Sequence, residues 1–187
     1  MIWFVGLLLL AILITPNNIN YAMADVETRP LHIYKSWGAL DKAIITIKYR
    51  TANPIAEIKE TTSQVYDIGT TYSITPDNIL YDSNYSYRYN SSSQSLSGTV
   101  PSGGLTITLD YIKQYSITYY PNGAAGDVIV DTIDAGAHYL VRDDDTYVYD
   151  GHDLLCWNTN PDGSGKNYFS ALYVTPLDNL KLYAYWD

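Results

Sequence analysis

The sequence predicts a mostly β protein built from two small tandem modules, each a mixed sheet with little helix. Three observations carry that reading. Stretches in which apolar and polar residues alternate recur from Ala43 to Trp186, which is the period of a half-buried strand. Clusters of Gly, Pro, Asn and Asp punctuate them, as turns require. The chain also carries 20 Tyr against 2 Phe, and rings with a hydroxyl at the tip suit thin sheets whose faces lie at the water boundary.

Taken in order, Ile2 to Ile14 is an unbroken apolar run of 13 residues. A spanning helix needs about 20. The run fits the apolar region of a secretory signal, and Ala22-Met23-Ala24 supplies a small-x-small cleavage pattern, so residues 1–24 read as a signal peptide cut before Asp25. No Lys or Arg precedes the run, and an uncleaved membrane anchor is the alternative. Residues 25–42 form an N-terminal arm. In it Leu31, Tyr34 and Trp37 follow Pro30 at three-residue spacing, which fits a turn or two of helix or an extended arm docked by its large side chains.

Residues 43–111 are the first β module. Ile45, Ile47 and Tyr49 alternate with Ile44, Thr46 and Lys48; a second strand runs Ile55 to Lys59 after Asn53-Pro54; Gly69 punctuates before Tyr72 and Ile74. After a turn at Pro76-Asp77-Asn78, Tyr85, Tyr87 and Tyr89 alternate with Ser86 and Arg88. A polar loop covers Asn90 to Ser97, and a closing strand places Leu105, Ile107, Leu109 and Tyr111 on one face. Only Ile112-Lys113-Gln114 connects this module to the second, residues 115–187. There Ser116 to Tyr120 is a strand running into Pro121-Asn122-Gly123, Asp127 to Ile133 is another, and Tyr147-Val148-Tyr149 a short one. Gly151 to Trp157 leads into the turn composition Asn158-Thr159-Asn160-Pro161-Asp162-Gly163, and Leu182, Ala184 and Trp186 form the inner face of a last strand. Trp157 and Trp186 are expected in the core.

In the second module the five elements, Ser116-Ile117-Thr118-Tyr119-Tyr120 with Pro121-Asn122-Gly123, the middle strand, Gly151 six residues before Trp157, Asp162-Gly163-Ser164-Gly165, and Leu182-Tyr183-Ala184-Tyr185-Trp186, resemble the Listeria-Bacteroides repeat, or internalin B-repeat, of bacterial surface proteins. His152 stands where that family usually has Tyr, and Cys156 where it usually has Gly. In the first module Ile45-Thr46-Ile47-Lys48-Tyr49, Gly69 with Tyr72, the Tyr-rich strand, Ser97-Gly98-Thr99-Val100 and the closing strand to Tyr111 resemble the mucin-binding-protein (MucBP) domain of Gram-positive surface proteins, with Thr51-Ala52-Asn53-Pro54 replacing the usual Asp and Gly. Both resemblances imply a β-grasp-like fold used for adhesion or spacing, at a bacterial exterior and without catalysis. The MucBP likeness implies a glycan or glycoprotein ligand.

The net charge of −9 is uneven. Residues 25–114 hold 8 basic and 9 acidic side chains, and residues 115–187 hold 3 and 11. An acidic field of that kind disfavours nucleic acid and anionic membrane as partners and favours solubility. The single Cys156 makes no intramolecular disulfide, which in a secreted globular chain points to a bacterial exterior.

Candidate chemistry is sparse. Cys156 with His138 or His152 as base would be a nucleophile, but a Cys beside a core Trp is more often a small buried hydrophobe. Asn158, Asn160, Asp162 and Gly163 reproduce the opening spacing of a calcium loop, yet its twelfth position is Phe169 where a bidentate Glu is needed, so a turn is the better reading. Asp143, Asp144 and Asp145 are weak cation candidates because adjacent carboxylates repel unless neutralised; a solvated loop is the default. Paired carboxylates for glycoside hydrolysis would need a deep cleft. No phosphate loop, helix-borne His pair or Ser/His/Asp signature is present, so no enzyme, cofactor or metal is expected.

The remaining signal is the tyrosines. Tyr81, Tyr85, Tyr87 and Tyr89 would form a platform for sugar rings or a partner's surface, or else be boundary residues of a thin sheet, with Tyr85, Tyr87 and Tyr89 together reaching solvent or together packing inward. The expected function is a secreted or cell-surface adhesion module recognising a host or surface glycan or glycoprotein. The alternatives are a spacer or assembly unit without its own ligand and, further off, a small secreted hydrolase.

Overall fold

The computed structural model describes the backbone of residues 10–15, 18–23, 32–34 and 41–187, and the side chains of residues 41–187. The expected Ala24/Asp25 cleavage point and most of the arm lie outside the described residues. Three strands, β1 (Leu10–Thr15), β2 (Asn18–Met23) and β3 (His32–Tyr34), form an antiparallel sheet of their own. No helix among the described residues is long and apolar enough to cross a membrane.

From Lys42 onward the chain is mostly β. The strands are β4 (Lys42–Ala52), β5 (Ile55–Asp67), β6 (Thr71–Ser73), β7 (Ile79–Tyr81), β8 (Ser86–Ser92), β9 (Ser97–Thr99), β10 (Leu105–Tyr120), β11 (Ile129–Asp134), β12 (Tyr139–Leu140), β13 (Leu154–Asn158), β14 (Asn167–Tyr168), β15 (Tyr173–Val174) and β16 (Leu180–Trp186). A three-residue 3-10 turn, Asp144–Thr146, is the described helical element. The nine-stranded sheet runs β14-β13-β16-β10-β4-β5, with β8 and β11 also paired to β10 and β7 to β8; β6 pairs β9 and β12 pairs β15. The pairing is mixed, because β10 and β16 are parallel while β10 is antiparallel to β8 and β11.

Two compact units are present. One comprises Met1–Lys48, Thr61–Thr75 and Gln94–Ile107; the other comprises Tyr49–Glu60, Pro76–Ser93 and Thr108–Asp187. In the first, Ala43, Ile45, Tyr72, Val100 and Ile107 are buried, and the Tyr72 hydroxyl donates to the Ser95 carbonyl. Gly104 takes a positive φ of 74° there, and a Cβ on it would lie 2.6 Å from the Ile44 carbonyl oxygen, so only glycine fits.

The second unit holds the larger core: Ile117, Tyr119, Tyr139, Val141, Tyr147, Trp157, Leu182 and Ala184. Trp157 is fully enclosed, edge-on to Tyr119 (4.6 Å between centroids) and Tyr147 (5.9 Å). Edge-to-face pairs of this kind add about 0.5–1.5 kcal/mol beyond the area they bury. Trp186, expected beside it in the core, is half-buried and packs against the cluster's margin.

Several local expectations change. Ile112-Lys113-Gln114 does not break the strand: β10 runs unbroken for 16 residues through it. Strand β5 extends to Asp67 instead of stopping at Lys59. Tyr147-Val148-Tyr149 is no strand; Val148 and Tyr149 make isolated bridges to Ala125 and His152 after the 3-10 turn. The register explains how β10 can continue. At Gln114 it pairs Ser86 on one edge and Asp134 on the other, and at Tyr119 it pairs Ile129 and Leu182. Strands β8 and β16 therefore lie end to end along one edge of β10, opposite β11.

Candidate functional site

Trp157 anchors the segment that carries the site. Its indole N–H donates to the Arg142 carbonyl at 2.9 Å, fixing the chain just before the 3-10 turn. Arg142 in turn grips Asp131 with two donors (2.8 and 2.6 Å), and Tyr139 gives its hydroxyl hydrogen to the same carboxylate and contacts the Tyr119 hydroxyl. The Arg142 bonds hold the Asp131 carboxyl below the usual carboxylate range, and burial with the Asp131 bond pushes the Tyr139 phenol up. Tyr147 donates towards the carbonyls of Tyr119 (3.0 Å) and Asp127 (2.8 Å), so the far end of the turn is tied down as well.

Beyond this anchor the chain makes a tight excursion. Gly151, at φ 80°, permits the turn that brings the His152 N–H to the Tyr149 carbonyl. The His152 ring stacks on Tyr149 (4.3 Å, 24°), and Tyr149 meets Trp186 edge-on at 5.6 Å. His152 Nδ1 lies 2.9 Å from the Asp187 carbonyl oxygen, and the Trp186 indole donates to the Pro121 carbonyl. These three rings line an open groove of about 600 Å³, whose other walls carry the carboxylates of Asp144, Asp145 and Asp153. Among the described residues no Lys or Arg lines it. The volume falls within the roughly 300–1,000 Å³ that small-ligand sites occupy.

Of the predicted tyrosines, Tyr81 is 76% exposed on β7 and Tyr87 only 8%. Tyr85 and Tyr89 are half-buried. Tyr85, Tyr87 and Tyr89 do follow one face, that of Lys113 and Tyr111, but at different depths. Tyr87 donates to Asp82 at 2.5 Å, and burial together with that bond pushes its phenol up to about 12. The Tyr87 bond holds Asp82 low. Tyr85 donates to Asp178 (2.9 Å) beneath the Lys113 ammonium, which sits 3.2 Å over its ring, and Tyr89 packs edge-on to Tyr111. The hydroxyls of Tyr85 and Tyr87 are thus engaged within the protein.

Asp143, Asp144 and Asp145 are exposed, the last two in the 3-10 turn. Among the described residues no group of three or more His, Cys, Asp or Glu side chains is arranged to hold a metal ion. Cys156 is buried on β13 and its thiol is pushed up by that burial; His138 is bonded to Thr175 and His152 to Asp187. The calcium-like spacing is a loop folded on one buried side chain. Asn158 Oδ1 accepts from the N–H groups of Asn160 (2.8 Å) and Gly165 (2.9 Å), while Nδ2 donates to the Gly163 and Gly165 carbonyls and to Asn167 Oδ1. Sequence reasoning singled out Gly151, His152 and Trp186 yet missed the groove. Its signal was an aromatic and a His flanking an Asp-Gly turn, with a second aromatic at the end of a strand.

The fold and the groove define a small, mostly β protein with a ring-lined, carboxylate-walled surface site. No family model matches the chain, and no curated protein matches it. A solved structure, the Streptococcal High Identity Repeats in Tandem (SHIRT) domains 3-4 from a cell surface protein, is similar over 77% of this chain and 96% of its own, at 9% identity and a TM-score of 0.30. At those values the likeness transfers no residue role.

Proposed function

We propose that this chain is a secreted or cell-surface bacterial binding module for adhesion, which recognises a glycan or the glycan of a glycoprotein and does not turn it over. The observation that supports this most is the groove lined by Tyr149, His152 and Trp186 together with Asp144, Asp145 and Asp153. Sugar rings offer C–H faces that pack on aromatic side chains and hydroxyls that donate to carboxylates, so a mixed lining of this kind answers both halves of the ligand. The sequence resemblances to the MucBP domain and the internalin B-repeat, which no family model matches, point the same way. The acidic field argues against nucleic acid or an anionic membrane as partner. The spacer reading draws on a different observation: the bonds from Tyr85 to Asp178 and from Asn179 to Asn84 bind β8 to the β16 end, as a stiff unit needs.

A glycan array probed with the full chain tests the proposal, alongside His152→Ala and Tyr81→Ala. Binding lost in His152→Ala with an unchanged melting temperature places the ligand in the groove, and loss in Tyr81→Ala places it on the β7/β8 tyrosines. A chain that binds no glycan leaves the spacer reading standing.

A further inference from the structure

We infer that the groove selects a sugar carrying a free ammonium, a de-N-acetylated hexosamine chain, over its neutral N-acetylated counterpart; the inference rests on the glycan reading of the same groove. Among the described residues three Asp line it, Asp144 and Asp145 on the 3-10 turn and Asp153 ahead of β13, and no Lys or Arg does. The cation nearest in sequence, Arg142, is committed to Asp131 through two bonds. Carboxylates adjacent in sequence repel one another, and a ligand that brings positive charge relieves the repulsion where a neutral one does not.

The rest of the lining says what carries that charge. The rings of Tyr149, His152 and Trp186 form a continuous array, held by one stacked and one edge-on contact. Ammonium groups are attracted to ring faces, and pyranose C–H faces pack on them. The carboxylates stand on two separate segments, so satisfying them takes several donors spread around one ligand. A hexosamine offers hydroxyls as well as its ammonium on each ring, whereas a lysine side chain offers a single polar tip.

The test is calorimetric titration of the full chain with a glucosamine tetramer, an N-acetylglucosamine tetramer and tetralysine. The glucosamine tetramer should bind about tenfold tighter than the acetylated one, the order expected when several exposed carboxylates each contribute modestly. That margin should shrink towards about 1 M salt, where charges are screened beyond roughly 3 Å. In the double variant Asp144→Asn, Asp145→Asn the glucosamine tetramer should lose much more affinity than the acetylated tetramer, which gives up only its hydroxyl contacts to those two side chains, so that the preference collapses. Asp153→Asn serves the same purpose if the double variant melts early. Equal affinity for the two tetramers overturns this inference and leaves the glycan reading intact. Failure to bind either overturns both, and tetralysine binding as tightly as the glucosamine tetramer overturns it by reducing recognition to charge alone.

Discussion

Replacing Asn158 is the sharpest probe of how this β unit is held. The side chain is 0% exposed, and its amide makes five polar contacts inside the loop that joins β13 to β14. Two N–H groups and one oxygen with two lone pairs can make about four bonds, since one donor must be shared. At about 1 kcal/mol net per bond the sum is about 4 kcal/mol. Loop carbonyls near the surface can turn to water once the amide is gone, so Asn158→Ala should cost about 2–4 kcal/mol. Natural domains have only about 5–15 kcal/mol in hand. Urea unfolding followed by tryptophan fluorescence reads this as a lower midpoint at unchanged slope. A loss below about 1 kcal/mol would refute the reasoning, because an ordinary surface turn substitution stays within about 0.5 kcal/mol.

Asn158→Asp separates the two halves of the amide. The oxygen that accepts from Asn160 and Gly165 is kept, but the donor becomes an oxygen set against the Gly163 and Gly165 carbonyls and Asn167 Oδ1. Buried among acceptors, this carboxyl's folded value should rise above the ordinary figure near 3.9. A raised folded value means the protonated form is favoured in the fold. The deficit relative to the parent is therefore largest at neutral pH and shrinks as pH falls through the raised value. A deficit that grows on acidification would show that the donor half does not matter.

Trp157→Ala should cost about 3–5 kcal/mol by cavity formation, whereas Trp186→Ala, at the core's margin, should cost visibly less; equal losses in thermal unfolding would contradict the burial difference. Gly165→Ala should unfold the β13/β14 loop in hydrogen exchange, because a Cβ there falls 2.6 Å from Asn158 Oδ1 and 2.9 Å from the Asn160 nitrogen. The Asp131 and Asp134 carboxyls are held low by Arg142 and Arg88, so the stability they contribute is present above about pH 4 and lost as pH falls through their depressed folded values. An Asp131→Asn variant should accordingly be weaker at neutral pH and converge on the parent in acid.

The strand pattern was legible because alternation reports burial directly: Leu182 and Ala184, and Ile107, Leu109 and Tyr111, are buried where their period puts them. Trp157 was legible for its size. Boundaries were not, since alternation marks a face and not an end. The short stretch Ile112-Lys113-Gln114 looks like a connection, and nothing local shows that β8 and β11 flank it. The groove was hidden for a similar reason. Its rings come from a turn at Tyr149 to His152 and from the last strand, and its carboxylates from residues on both sides of that turn. Pairing β13 with β16 brings Leu154 opposite Trp186, and only that register assembles them.

Gln114 shows why a polar stretch could continue as strand. It is buried on the face of β10 opposite Tyr111 and Ile117, within the triplet that the sequence reads as a connection between modules. A buried amide is tolerated only when bonded. Here its NH2 donates to Asp134 at 2.9 Å and its oxygen lies 3.3 Å from the Ser86 hydroxyl, while Arg88 reaches Asp134 from β8. The cross-strand partners that bury Gln114 are thus the ones that satisfy it. Lys113 has the same logic on the other face: its ammonium rests over the Tyr85 ring, so its charge and its stem are both used. Residues that read as linker in one dimension are, in the sheet, where β8, β10 and β11 are cross-linked by side chains, and this is what lets one 16-residue strand serve both the tyrosine face and the tryptophan core.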